Sequence, residues 1–173
     1  LMVRQGKALY VGISNYSAEE TAKASKILKD LGTPCLIHQP KYNMFDRWIE
    51  DGLLNLLGSS GVGAICFSPL AQGMLTNRYL HGLPKDSRAI RESPFLKTDQ
   101  VLETLPKIIA LNKIAKERNQ TLAQMAISWI LKDNRITSVL NGASTTEQIA
   151  DNVKANENTH FSDEELTKIN EIS

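Results

Sequence analysis

The stretch that decides the fold is residues 136–152, ITSVLNGASTTEQIADN. Four of its first five residues are β-branched or apolar and predict a buried strand. A turn of small residues follows, and Ser144 stands three residues before Glu147, which is the spacing of a capping box at a helix start. Such a unit directs free N–H groups and the positive end of a helix dipole at one point, where a phosphate can bind. On the local pattern alone, an ordinary, well-capped connection is the better explanation, so the rest of the chain has to decide.

The alternation of strands and helices continues on both sides of this stretch. Earlier strands are predicted over 8–13, 35–38 and 63–67. Helices are predicted over 18–31, 47–57, 98–118 (kinked or split by Pro106), 122–133 and 163 to the C-terminus, with Ser17, Thr121 and Ser162 as caps. The order β-α-β-α-β-α-α-β-α-α indicates a parallel sheet with helical crossovers.

Two α/β architectures fit this order. One is half of a TIM (β/α)8 barrel, with four parallel strands and their helices. The other is a small doubly wound parallel sheet. A complete barrel needs about 250 residues and eight strands, whereas this chain has 173 residues. The barrel interpretation therefore expects a single half-barrel domain over 1–173, the C-terminal half of a larger barrel.

Composition narrows the class of protein. Apolar residues make up 42% and charged residues 23%, which is typical of a soluble globular protein. A net charge of +1 argues against a nucleic-acid partner. No apolar run approaches the roughly 20 residues of a membrane helix, and no signal-peptide layout is present. Cys35 and Cys66 lie in apolar runs without a CxxC spacing, so we expect reduced thiols and a cytoplasmic protein.

The residues that follow each predicted strand are polar but almost uncharged. They are amides and hydroxyls, which suit the binding of a neutral amide or a sugar and suit proton transfer poorly. No Ser-His-Asp, paired-carboxylate or metal-ligand spacing occurs, so the sequence predicts no catalytic residue and no metal site. His38 is the only histidine at a strand end, and as a lone histidine it is expected to be structural.

Taken together, four segments resemble the ends of the fifth to eighth strands of the aldo-keto reductases. They are GISN at 12–15, QPKYN at 39–43, FSPLAQG at 67–73, and GAS at 142–144 with Gln148 and Asn152. The runs IHQPKYNMFDRW (37–48) and SPLAQGMLTNRYLHGLPKDSRA (68–89) are most similar to the glyceraldehyde 3-phosphate reductase branch, which is related to potassium-channel beta subunits. The match covers essentially the whole chain.

The resemblance implies an NADP(H) site. Ser14, Asn15 and Gln39 would hold the nicotinamide carboxamide, and Phe67 would stack on the nicotinamide ring where the family usually has Tyr or Trp. Residues expected at the pyrophosphate are Ser68, Leu70 and Gly73. Those expected at the adenosine end are Gly142, Ser144, Gln148, Asp151 and Asn152.

The extra phosphate of NADP needs cations, and Arg78 and Arg88 match positions that are basic in this branch. Lys85 and Arg91 lie in the same irregular tract and are expected to be solvated surface charges. Thr145 departs from the family, since relatives often carry Arg there. This departure leaves the preference for NADP over NAD open.

The family's catalytic Asp, Tyr, Lys and His come from its first four strands, which this chain does not contain. No tyrosine here matches the proton donor. The resemblance therefore implies the cofactor-binding half of a reductase of small carbonyl substrates, such as triose phosphates or methylglyoxal. This chain alone is expected to be inactive and to form homo-oligomers or pair with the missing half-barrel. Two alternatives remain: a non-catalytic nucleotide-binding or regulatory module resembling a channel beta subunit, and a self-assembling structural fragment.

Overall fold

Four parallel strands form one sheet and lie side by side in chain order. The computed structural model describes residues 1–85, 87, 89–90 and 94–173. The strands are β1 (Val11–Ser14), β2 (Cys35–Gln39), β3 (Gly63–Cys66) and β4 (Ile136–Val139), and their order in the sheet is β1-β2-β3-β4. A doubly wound sheet reverses its strand order at a switch point, and this sheet does not. The fold is the expected partial (β/α)8 barrel, and the doubly wound alternative is wrong.

Within the described residues, six α-helices connect or follow the strands: α1 (Ala18–Asp30), α2 (Leu53–Ser60), α3 (Thr98–Glu117), α4 (Leu122–Leu131), α5 (Thr146–Val153) and α6 (Asp163–Ile172). Single 3₁₀ turns occupy Trp48–Glu50, Ala71–Gly73, Asn77–Tyr79 and Lys154–Glu157. Ser17, Thr121 and Ser162 each begin a helix with a complete capping box, as predicted.

Two predicted helices differ in detail. The helix expected over 47–57 is a 3₁₀ turn, Trp48–Glu50, followed by α2 from Leu53. Gly52 separates them at φ 83°, a left-handed conformation that glycine adopts readily and that a continuous helix cannot contain. Helix α3 runs as one element of 20 residues through Pro106, so the predicted split is absent there.

The hydrophobic core lies between the sheet and its helices. Ala64 and Cys66 of β3 are fully buried against this helical layer. Trp129 of α4 is the largest fully buried side chain, and its ring centroid lies 5.2 Å from that of Tyr42. The carboxyl ends of the strands lie at the rim of the sheet, where a ligand can reach them.

Candidate functional site

The ends of β1 and β2 are joined by hydrogen bonds at the rim. The Ser14 hydroxyl donates to the main-chain oxygen of Gln39 at 2.7 Å, and the Asn15 N–H donates to the same oxygen at 3.3 Å. The Asn15 Oδ1 accepts from the N–H of Lys41 at 2.9 Å. The three residues expected at the nicotinamide therefore form one connected group.

The remaining strand ends continue this row. The Asn43 Nδ2 donates to the main-chain oxygen of Ser68, just beyond β3, at 3.0 Å. The Leu140 N–H, just beyond β4, donates to the oxygen of Cys66 at 2.8 Å. All four strand ends therefore meet at one edge of the sheet, as the sequence analysis expects.

A cleft of about 1060 Å³ separates the segment after β3 from the connection between β4 and α5. This volume matches the upper range of small-molecule sites. The cleft brings together most of the residues expected at the pyrophosphate, the adenosine end and the extra phosphate: Ser68, Leu70, Gly73, Arg78, Gly142, Ser144, Gln148, Asp151 and Asn152.

The other expected residues lie elsewhere. Asn15 lines a second, smaller cleft of about 320 Å³ on the β1–β2 side of the rim. Ser14 and Gln39 lie next to Asn15 at the strand ends but do not belong to the lining of either cleft. Phe67 is half-buried at the end of β3 and pairs with Lys41 across the strand ends. Arg88 and Arg91 fall outside the described residues.

The segment after β3 has an unusual backbone. Ser68, Ala71 and Gln72 all have positive φ angles, of 55°, 46° and 59°, which L-residues rarely adopt. Gly73 follows at φ 97°, and it has no Cβ to project from this turn. Such strained backbone persists where surrounding structure enforces it, often at ligand sites. Ser68, Gln72 and Gly73 of this turn line the cleft, so a ligand bound there would lie beside it.

The connection between β4 and α5 corrects one prediction. Thr145, not Ser144, caps the helix: its hydroxyl accepts from the Gln148 N–H at 3.3 Å. The Ser144 N–H instead donates to the Gln148 Oε1 at 2.8 Å. The reason is geometric, since Thr145 has the extended backbone of a cap residue and the helix begins at Thr146. The Ser144 hydroxyl thus takes no part in the cap.

Charges of both signs line the cleft. Arg78 is exposed there. The pKa of the Glu147 carboxyl is lowered by its own main-chain N–H, then by the hydroxyls of Thr145 and Thr146, so this side chain is negative at neutral pH. Gln124 of α4 holds Asp151 in place. Its Nε2 donates to the Asp151 Oδ1 at 2.9 Å and to the Asp151 main-chain oxygen at 3.0 Å.

Two of the cleft residues that were not selected from the sequence carry buried polar atoms without partners among the described residues. Tyr79 and Asn141 belong to the cleft lining, and the Tyr79 hydroxyl and the Asn141 Oδ1 are buried and have no hydrogen-bond partner in the described part of the chain. Asn141 directly follows the last strand residues, but the sequence interpretation of this strand end began at Gly142. Reading one residue earlier would have included it.

The described residues contain neither a metal-ligand cluster nor a membrane-spanning helix. No group of three or more His, Cys, Asp and Glu side chains is arranged to hold a metal ion there. Across the same residues, no helix has the length and apolar character needed to cross a bilayer.

Comparison with known proteins identifies the family. The model of the Aldo/keto reductase family matches residues 1–173. The chain belongs to the aldo/keto reductase family. The predicted resemblance to this family is therefore confirmed.

Curated relatives of this aldo/keto reductase chain fall in the expected branch. The L-glyceraldehyde 3-phosphate reductase of Escherichia coli (strain K12) is 50% identical over 177 residues, covering 98% of this chain and 50% of the relative. Probable voltage-gated potassium channel beta subunits of Oryza sativa subsp. japonica and Arabidopsis thaliana are 37% and 38% identical, each match covering 89% of this chain and 48% of the relative. The chain thus spans about half the length of the curated relatives it matches.

Proposed function

We propose that these 173 residues form the NADP(H)-binding half of an aldo-keto reductase. The whole enzyme would reduce small aldehydes or ketones, such as triose phosphates or methylglyoxal. The observation that carries the proposal is the cleft between the segment after β3 and the β4–α5 connection. It gathers side chains expected to bind the dinucleotide from two parts of the chain about 70 residues apart.

The strand ends offer groups that fit a nicotinamide carboxamide. The Asn15 Nδ2 and the side-chain amide of Gln39 make no hydrogen bonds to other described residues, so their donors and acceptors are available to a ligand. A carboxamide pairs with amides through both its oxygen and its nitrogen. Bound NADPH would supply the hydride, and these residues would orient its nicotinamide ring at the rim.

NADP(H) rather than NAD(H) is part of the proposal. Arg78 lies in the cleft lining, where a guanidinium can pair with a phosphate. Thr145 and the negative Glu147 oppose this preference at the start of α5. Because these effects oppose one another, we expect NADPH to bind more tightly than NADH by a modest factor, which parallel titrations measure.

The proton donor would come from outside these residues. The family's catalytic Asp, Tyr, Lys and His belong to its first four strands, and no side chain of the chain is proposed for that role. We therefore expect the isolated chain to bind NADPH without reducing a carbonyl substrate. Cys35 and Cys66 are free, buried thiols, which fits the reducing environment of the cytoplasm as the proposed location.

A second candidate function is a non-catalytic, nucleotide-binding regulatory module. The similarity to probable channel beta subunits favours it. It shares the cleft with the first proposal and differs in the whole protein, where no carbonyl reduction would occur. A reductase assay on the complete protein, with glyceraldehyde 3-phosphate and methylglyoxal, separates the two.

A complementary half-barrel is the proposed partner, supplied by the same protein or by a second copy. Within the described residues, the outer edges of β1 and β4 pair with no strand. Exposed apolar side chains adjoin both edge strands in the chain: Leu9 and Tyr10 precede β1, and Leu140 follows β4. Unpaired edges beside apolar surface favour association, so light scattering of the chain should show dimers or larger species, and a clean monomer at high concentration would argue against this.

Titration with NADPH tests the binding proposal. Trp48 lies at the smaller cleft, so its fluorescence reports ligand at the rim. Asn152→Ala should weaken binding because Asn152 lines the main cleft, and Asn156→Ala is the matched control because Asn156 is exposed and outside that lining. Saturable binding with no carbonyl-dependent NADPH consumption is expected. Absence of binding at millimolar NADPH would favour a purely structural fragment, and steady turnover abolished by a single substitution would show that the chain has its own proton donor.

A further inference from the structure

Asn141 and Tyr79 line the main cleft, and each carries a buried polar atom that lacks a hydrogen-bond partner among the described residues. The Asn141 Oδ1 and the Tyr79 hydroxyl are buried and make no hydrogen bond to any described residue. Tyr79 as a whole is only 1% exposed. A buried polar group without a partner destabilises a folded protein, and native structures leave few of them.

Their positions in the fold connect both residues with the ligand site. Asn141 lies between β4 and the Gly142–Ser144 turn, and Tyr79 ends the 3₁₀ turn Asn77–Tyr79 on the other wall. The Tyr79 ring packs against the strained segment. If Gly73 carried a Cβ, that atom would lie 3.8 Å from the Cε2 of Tyr79. The two side chains therefore approach the cleft from two separate elements.

Three other unpartnered buried atoms belong to His38, Ser87 and Trp129, and none of these residues lines the cleft. An unpartnered atom alone is therefore not evidence of a site. What distinguishes Asn141 and Tyr79 is that both line one cleft of about 1060 Å³ that also contains residues expected to bind a dinucleotide.

We propose that Asn141 and Tyr79 are additional ligand contacts, which bind ribose and phosphate oxygens in the adenosine half of the dinucleotide. The inference rests on the proposed function of the cleft. A phenol donates well to a phosphate oxygen, and a carboxamide pairs with a ribose hydroxyl whichever way its oxygen and nitrogen are turned. Both residues belong to the cleft lining, so a ligand bound there would lie next to them. The adenosine half is favoured because Gly142 and Ser144, which follow Asn141, are the residues expected there.

The test uses Asn141→Leu and Tyr79→Phe in the full 173-residue chain. Affinities are measured for NADPH, for ADP as the adenosine fragment, and for reduced nicotinamide mononucleotide as the other fragment. Each variant should lose about fivefold to tenfold in affinity for NADPH and ADP, the usual effect of one lost hydrogen bond. Affinity for the nicotinamide fragment should not change.

Thermal unfolding without ligand provides the second measurement. Removing a polar atom that has no partner should leave the midpoint unchanged or raise it. Tyr42→Phe is the matched control: the Tyr42 hydroxyl is buried but donates to the Glu50 Oε1 at 2.6 Å, outside the cleft lining. That variant should lower the midpoint and leave all three affinities unchanged.

The outcomes separate this inference from the proposed function. If the wild-type chain binds NADPH and ADP and both variants bind them equally well, the two side chains are not ligand contacts and the proposed function stands. Lower unfolding midpoints with unchanged affinities would likewise assign them a structural role and overturn the inference. If the wild-type chain binds neither compound, the proposed function fails and the inference fails with it.

Discussion

The side-chain hydroxyl of Ser14 donates a hydrogen bond of 2.7 Å to the main-chain oxygen of Gln39. This bond joins the exposed ends of two neighbouring strands and sets the spacing of residues proposed to hold one carboxamide. An exposed hydrogen bond contributes little net stability, because water replaces it readily in the unfolded chain. Its main effect is therefore expected on ligand geometry.

Ser14→Ala should weaken NADPH binding by about fivefold, since it removes one bond that positions the nicotinamide group. The free energy of unfolding should fall by about 1 kcal/mol or less. Fluorescence titration and urea unfolding measure the two quantities. An unchanged NADPH affinity together with a large loss of stability would show that the bond serves the fold instead.

Thr145 and Ser144 offer a matched pair for the helix cap. Thr145→Val removes the hydroxyl that accepts from the Gln148 N–H and should lower the free energy of unfolding by about 1 kcal/mol. Ser144→Ala removes a hydroxyl outside the cap and should change stability by less, about 0.5 kcal/mol at most. Urea unfolding of both variants decides, and the reverse order would restore Ser144 as the cap.

Arg118 connects the C-terminal helices from a buried position. Its side chain is 4% exposed, pairs with the Glu165 Oε1 at 2.7 Å and donates to the main-chain oxygens of Asn158 and His160. The guanidinium carbon also lies 3.6 Å from the ring centroid of Phe161. Removing one partner of such a buried pair leaves the others unsatisfied.

Arg118→Met should therefore lower the free energy of unfolding by about 3 kcal/mol. The control is Lys23→Met, which removes an exposed pair with Glu19 and should cost about 0.5 kcal/mol or less. Both are measured by urea unfolding. Equal effects of the two substitutions would mean that the Arg118 contacts add no more than surface charges do.

The burial of His38 is expected to make the free energy of unfolding depend on pH. Burial lowers its pKa, and the main-chain oxygen of Tyr16, 3.1 Å from Nε2, opposes this shift more weakly. Since the unfolded imidazole titrates near 6.5, the unfolded chain binds more protons than the folded chain below that pH. Stability should fall as the pH is lowered through about 6.5 and level off below the folded pKa.

Urea unfolding between about pH 8 and about pH 5.5 measures this loss, in a range where most carboxylates remain ionised. His38→Gln keeps a donor for the Tyr16 oxygen and removes the titrating group, so its stability should depend less on pH. Parallel curves for the two proteins would assign the pH dependence to other groups.

Local sequence patterns predicted three of the helix starts because residues close together in the chain form the contacts at those starts. Ser17, Thr121 and Ser162 are each followed three residues later by Glu or Gln, and each makes the reciprocal bonds of a capping box. In STTEQ (144–148), however, both Ser144 and Thr145 have this spacing. The backbone leaving β4 selects Thr145, which the spacing alone cannot do.

Other features depend on tertiary structure. The break at Gly52 results from its positive φ, which the helical pattern of residues 47–57 does not predict. Tyr79 lies in an irregular tract, and only the folded chain shows that its hydroxyl lacks a partner in the cleft wall. The family resemblance predicts which strand ends form the site, but the hydrogen-bond partners of each side chain depend on the folded structure.

The most direct test of the central claim is amide NMR of the chain during titration with NADPH. The account predicts perturbed signals at both walls of the main cleft, including Gly73 and Gly142, and at Asn15 and Gln39 on the nicotinamide side. Signals of residues outside the two clefts, such as that of the core residue Leu111 in α3, should remain in place. Perturbations confined to other surfaces, or none at saturating NADPH, would contradict the claim that these strand ends bind one dinucleotide.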